Sequence, residues 1–178
     1  DVAMRGLAKQ FFDHTVRRRY QALVWGDVET DSGTIRAHVG RHLRFRKLFE
    51  AYPDGDHGKE AVTHYRVLER FGYVTLVECV LETGRTHQIR VHMSYLQHPL
   101  LGDIAYGGRA RIPTGASEEL TAMIRGFDRQ ALHAVMLRFE HPITGEVLEF
   151  HAPVPDDMVA MTEALRQDTE EHGLPEEF

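Results

Sequence analysis

An α+β fold, with a mixed, largely antiparallel sheet and flanking helices, is what this 178-residue sequence predicts. Three observations carry that expectation. Strand-like runs rich in β-branched and aromatic residues come in pairs separated by tight turn signals, as antiparallel neighbours do. Stretches of helical periodicity are interspersed among them in a mixed order, with hairpins dominating. The composition, 42% hydrophobic and 27% charged, is that of one globular domain able to bury a full core without covalent staples.

The elements follow in order. Val2 to Thr15 has the spacing of an amphipathic helix, with Leu7, Phe11 and Phe12 on its apolar side. Arg19 to Trp25 switches to a strand pattern. Asp31-Ser32-Gly33 is a turn signal, and Thr34 to Val39 follows as a partner strand. Gly40 to Lys59 combines Arg41, Arg44, Arg46 and Lys47 with the turn formers of Tyr52-Pro53-Asp54-Gly55-Asp56-His57-Gly58, which predicts an exposed, mobile, basic loop. Ala61 to Phe71 and Tyr73 to Glu82 flank Gly72 as a hairpin. Thr86 to Leu96 is expected to be helical, with Ile89, Met93 and Leu96 at core spacing, and His98-Pro99 ends it. Leu100 to Thr114 is loop-like, and a short helix is expected over 117 to 124. Gln130 to Glu140 and Glu146 to His151 pair across a turn. Pro155 opens a final helix to about Gln167, with Asp156 and Asp157 suiting its positive N-terminus, and an acidic end that frays beyond it.

Charge is unevenly spread. The formal net charge is −6, but from Asp156 onward eight acidic residues face a single arginine, so that tail carries −7 and leaves the remainder at +1. Within the remainder, Arg17-Arg18-Arg19 and the Arg36–Lys47 stretch are local basic clusters, which can dock phosphates whatever the global charge. The single cysteine, Cys79, excludes an internal disulfide and a multi-cysteine zinc site. With neither a bilayer-length apolar run nor a signal-peptide pattern, the simple expectation is a cytoplasmic protein with no membrane partner. The first residue is Asp1, which suggests a natural start further upstream.

The most informative segment is Gly84-Arg85-Thr86-His87-Gln88-Ile89-Arg90-Val91-His92. A helix start is already electropositive, so two arginines there point to an anionic neighbour. With Ile89 facing the core, Arg90 falls about 100° away at the edge of the buried face. There it needs a partner, either a functional anion or a salt bridge that fixes the helix to the sheet. His87 and His92 stand five apart, on different helix faces, which is not the spacing of a zinc helix. Tyr20 either packs in its strand or stacks on a base. Gly102-Asp103 with Tyr106-Gly107-Gly108 forms a glycine-bearing loop, but without a Walker lysine it is a weak phosphate loop.

Taken together, Tyr20-Gln21-Ala22-Leu23-Val24-Trp25-Gly26, Gly58-Lys59-Glu60-Ala61-Val62-Thr63-His64-Tyr65, the Leu81–His92 string, His98-Pro99-Leu100 with Gly102-Asp103, Tyr106-Gly107-Gly108, and Arg129-Gln130-Ala131-Leu132-His133-Ala134 followed by His141-Pro142 resemble the RNA pseudouridine synthases in order and spacing. The resemblance implies an enzyme that flips a uridine out of a ribosomal RNA stem-loop and isomerises it to pseudouridine, with an aspartate nucleophile and with neither cofactor nor metal. It implies a monomer. By position, Tyr20 matches the tyrosine that stacks on the uracil, Arg90 the arginine that ion-pairs with the catalytic aspartate, and Leu132 an apolar residue lining the pocket. Arg85, Thr86, His87 and Gln88, with Arg41, Arg44 and Arg46, are the candidate substrate-binding residues. The family's His-Arg-Leu-Asp motif does not occur in the chain; Arg41-His42-Leu43-Arg44 has no aspartate and lies elsewhere. Residues 1–178 are therefore expected to be the C-terminal portion of a single catalytic domain, with an acidic tail from about 168, inactive alone. The competing expectations are a non-catalytic RNA-binding or ribosome-assembly module and a metal-dependent hydrolase using the histidines.

Overall fold

The computed structural model describes residues 1–13 and 15–173. Its elements run α1 (Val2–Phe12), β1 (Arg17–Trp25), β2 (Ser32–Arg36), β3 (His38–Arg41), β4 (Phe49–Tyr52), β5 (Val62–Arg70), β6 (Val74–Leu81), α2 (Gln88–Tyr95), α3 (Glu118–Gly126), β7 (Leu132–Glu140), β8 (Val147–His151) and α4 (Asp156–His172), with a 3-10 turn at Ile104–Tyr106. Six strands form one antiparallel sheet in the order β2-β5-β6-β1-β7-β8, and β3 and β4 form a separate two-stranded ribbon. The chain is thus α+β with a largely antiparallel sheet.

The period of two along β1 separates the core into two layers. Leu23 and Trp25 face α3 and α4, where Phe71, Val74, Leu101, Leu120, Ile124, Met158, Met161 and Leu165 complete an apolar cluster. Ala22 and Val24 face the other way, against Val77, Cys79, Leu81 and the α2 residues Ile89 and Met93. Trp25 closes the first layer by donating its indole N–H to the Gly108 carbonyl at 3.2 Å.

Several expectations need correction. Thr34–Val39 was expected to partner the strand at Tyr20; instead β2 pairs with β5, and β1 lies between β6 and β7. Gly40–Lys59 is not a plain loop. His38–Arg41 and Phe49–Tyr52 pair in register, Val39 exchanges backbone hydrogen bonds with Lys59 at 2.9 and 3.0 Å, and His42 Nδ1 caps the turn by accepting the Arg44 and Phe45 amides. In α1, Phe12 is 83% exposed; the helix meets the body through Gln10, whose amide bonds the Glu140 backbone in both directions, and where Gly6 lies against Pro142. The final helix does not fray at Gln167 but continues to His172, its acidic residues held by local pairs such as Arg166–Glu163 at 2.7 Å. The remainder of the acidic tail, 174–178, and His14 lie outside the described residues.

Candidate active site

The segment leading into α2 is held by one amide. Gln88 is 3% exposed. Its Oε1 accepts from Thr83 Oγ1 (2.7 Å) and from the Arg85 amide (3.0 Å); its Nε2 donates to the Val62 carbonyl (3.1 Å) and Thr63 Oγ1 (3.0 Å). With every donor and acceptor of the side chain engaged, Gln88 is committed to fixing the Thr83–His87 turn onto β5. Thr63 passes its own proton to His92 Nδ1 (2.7 Å), and His92 Nε2 donates to the Ala37 carbonyl (2.9 Å). His92 is fully buried, and burial depresses its pKa, so the ring is neutral.

This turn delivers Arg85 and Thr86 to a cavity of about 370 Å³ between the β3–β4 ribbon and the start of α2, lined also by Val39, Gly40, Phe49, Gly58, Lys59 and Gly84. Arg85 Nε donates to the Glu60 carbonyl at 2.8 Å, leaving its terminal amino groups for the cavity side. The Arg18 guanidinium fills the space that a Cβ at Gly84 would take, so a side chain there would have to displace it. Arg18 Nε is buried and has no hydrogen-bond partner among the described residues.

Arg90 is where sequence reasoning was incomplete. A carboxylate from outside the chain was expected beside it; the structure supplies one from within. Nε and Nη2 form a side-on fork to Asp103, both contacts at 2.9 Å, with the carboxylate side chain 2% and the guanidinium 15% exposed. The Tyr106 ring covers the guanidinium at 4.8 Å. Asp103 is aimed by a tight loop in which its amide bonds the Leu100 carbonyl and its carbonyl accepts from Gly108 at 2.7 Å; a Cβ at Gly108 would strike the Leu100 carbonyl. The Asp103 hydrogen bonds raise the Arg90 pKa further, so the charge is permanent. Among the described residues Nη1 has no hydrogen-bond partner, so donors on the end-on edge of the guanidinium are left unused by the Asp103 pair.

Tyr20 and Leu132 belong to the same sheet face as α2, packed against the layer that includes Ile89 and Met93. Tyr20 sits opposite Cys79 and Ala134, where the β1–β7 ladder shifts register between Arg19 and Tyr20, an irregularity of the kind that re-aims a side chain beside a site. His87 is not a conventional helix start. It is left-handed (φ 56°), and its Nδ1 meets the Tyr106 hydroxyl at 2.7 Å; burial and then Arg90 lower its pKa. Arg41 lies over the Phe49 ring (5.5 Å) and Arg44 over Phe45 (5.3 Å), on the ribbon and its turn; Arg46 is exposed on the same turn. The structure therefore brings Arg85, Thr86 and the ribbon residue Phe49 to one cavity, and Tyr20, Leu132 and α2 to one layer. Arg44 and Arg46 stay out on the ribbon turn. Among the described residues no set of three or more His, Cys, Asp or Glu is arranged to hold a metal ion.

The family described as RNA pseudouridylate synthase matches residues 1–95, and the chain belongs to it. Among its relatives, the ribosomal large subunit pseudouridine synthase D of Vibrio parahaemolyticus is 66% identical over 176 residues, covering 99% of this chain and 53% of that protein. The protein of the same name from Escherichia coli is 51% identical over 157 residues, 88% of this chain and 47% of that one. The chain thus spans about half the length of these curated relatives. Of solved structures, human RNA pseudouridylate synthase domain containing 1 superposes with a TM-score of 0.64 at 27% identity, over 91% of this chain and 70% of that one. Human RNA pseudouridylate synthase domain containing 4, at 23% identity, shares the fold with a TM-score of 0.73 over 91% of this chain and 67% of that one.

Proposed function

We propose that the complete protein isomerises uridine to pseudouridine in a stem-loop of large-subunit ribosomal RNA, and that residues 1–178 supply the C-terminal portion of its single catalytic domain. The observation that carries this reading is Arg90, fixed side-on by Asp103 and roofed by Tyr106, with Nη1 on its end-on edge lacking a hydrogen-bond partner among the described residues, on the helix whose Ile89 and Met93 belong to the layer that Tyr20 and Leu132 pack against. A carboxylate delivered upstream of this chain meets that edge and is held ionised and oriented. Extracting the base costs a few kcal/mol, which contacts to RNA phosphates offset. Tyr20 stacks on the flipped uracil and assists loss of the carbon-5 proton, and Leu132 lines the pocket. The bond from the ribose carbon to N1 breaks, the base turns, and a bond to C5 forms while N1 regains a proton. Arg85 and Thr86 at the cavity, with Arg41, Arg44 and Arg46 on the ribbon, bind the RNA backbone; Gln88 and His87 hold the turn that presents them. The reading makes the protein a cytoplasmic monomer. No helix of the described residues is long and apolar enough to cross a membrane.

The test measures pseudouridine in a stem-loop transcript of large-subunit ribosomal RNA. The complete gene product is expected to form it and the isolated 178-residue chain is not. Turnover by the isolated chain would show that the nucleophile is not upstream, and RNA binding without isomerisation by the complete product would make this a binding module instead. Replacing Arg41, Arg44 and Arg46 together by alanine should flatten the salt dependence of binding by about two log units per log unit of salt. An unchanged slope removes the ribbon from the RNA interface.

A further inference from the structure

One side chain touches both the basic ribbon and the guanidinium of Arg90. Tyr106 closes the 3-10 turn that starts from Asp103, and its own carbonyl is fixed by Ser94 Oγ on α2 at 2.9 Å. Its hydroxyl has two partners. The Phe49 amide at the start of β4 donates to it at 3.0 Å, and it shares a hydrogen bond with His87 Nδ1 at 2.7 Å. The ring then lies over Arg90 and edge-on to His87, and Phe49 meets His87 edge-on from the other side at 5.5 Å. Arg41 stacks on that same Phe49. An unbroken series of contacts therefore runs from Arg41 through Phe49 and Tyr106 to Arg90. Within this series His87 keeps a left-handed conformation that is uncommon for a non-glycine residue.

We infer that Tyr106 is a positioning residue that couples the RNA-binding ribbon to Arg90, so that seating the ribbon on RNA and setting the guanidinium for the incoming carboxylate are one event. The inference rests on the roles given above to Arg90 and to the ribbon. The physical basis is that the Phe49 amide is the ribbon's direct hydrogen bond to the Tyr106 turn, and that the turn carries both the carboxylate and the ring that fix Arg90. A ribbon displaced by loss of RNA contacts pulls on the hydroxyl; a displaced hydroxyl tilts the ring over the guanidinium.

The experiment is a double-mutant cycle in the complete gene product. Tyr106→Phe keeps the ring over Arg90 and removes both hydrogen bonds; it is expected to lower kcat/KM by roughly tenfold, mostly through KM for the RNA. Arg41→Ala is expected to act in the same sense. Their combination should cost clearly less than the product of the two, because each breaks the same series of contacts. Tyr106→Leu, which removes the ring as well, should lower kcat too. His87→Asn tolerates the left-handed backbone while removing the ring that bonds the Tyr106 hydroxyl, and it should reproduce the KM effect should Tyr106→Phe fold poorly. A merely structural Tyr106 would lower the folded fraction and leave kcat and KM per folded molecule unchanged. The inference fails if the effects of Tyr106→Phe and Arg41→Ala multiply, or if both Tyr106→Phe and His87→Asn are kinetically normal. If the wild-type product makes no pseudouridine, or Arg90→Ala retains turnover, the underlying functional reading fails instead.

Discussion

The two faces of the central sheet solve the burial problem in opposite ways. Against α3 and α4 the core is hydrocarbon and thioether: Leu23, Phe71, Leu101, Leu120, Ile124, Met158, Met161 and Leu165 meet, with Trp25 bringing an indole N–H that bonds the Gly108 carbonyl. Against α2, buried side chains include Gln88, His92, Thr63, Thr83 and Asp103, each with hydrogen-bond partners. An apolar layer gains stability from area removed from water. A buried polar layer gains little net stability, but it fixes geometry, because every displaced group would be left unpaired at a cost of about 1–3 kcal/mol. The first face is a foundation, and the second spends stability on orientation.

That contrast can be broken at three points. The largest effect is expected at Arg90. In the complete protein, Arg90→Ala should reduce turnover by about a thousandfold or more while binding survives in part. Arg90→Lys keeps the charge but not the fork, and should remain strongly impaired. Near-normal turnover in a single-turnover assay would make Arg90 purely structural. On the other face, Leu165→Ala should destabilise the chain by about 2–5 kcal/mol in denaturant melts while leaving kcat per folded molecule unchanged. A kinetic effect as large as the stability effect would show that the faces are not separable. The smallest effect is electrostatic. Burial holds the His92 pKa below its unfolded value of about 6.5. Its contribution to stability is therefore complete above that pH and is lost as the pH falls through the lower, folded value. Melts should weaken on acidification below about pH 6.5, and His92→Gln should flatten that acid arm. An acid arm unchanged in the variant would assign it to other groups.

Local signals were enough wherever an element is built from its own residues. The Gly72 hairpin forms as Val62–Arg70 and Val74–Leu81, and Ile89 and Met93 face the core as their spacing requires. The strands of the β3–β4 ribbon were not legible. They are short, sit among arginines and turn formers, and are stabilised by distant partners: Lys59 on Val39, Tyr106 on Phe49. The partner of Arg90 was invisible for a related reason. Nothing in the residues around Asp103 distinguishes a buried carboxylate from a surface one; only the turn fixed by Gly108 aims it at α2. His87 and Gln88, grouped with the substrate contacts in the sequence, have side chains engaged within the protein, because the turn they belong to has to be held before it can hold anything else.

By itself, then, the sequence determined the class of fold and the family, and it singled out Arg90 as a cation at the edge of a buried face that needs a partner, because hydrophobic period, turn chemistry and a dense polar string are local properties that survive without coordinates. Tertiary structure alone decided which carboxylate grips that cation, which of its donors that pair leaves unused, and how the ribbon is tied to it through Tyr106. Those are pairings between residues far apart in the chain, and a pairing is set by where the fold brings two groups, not by what either group is.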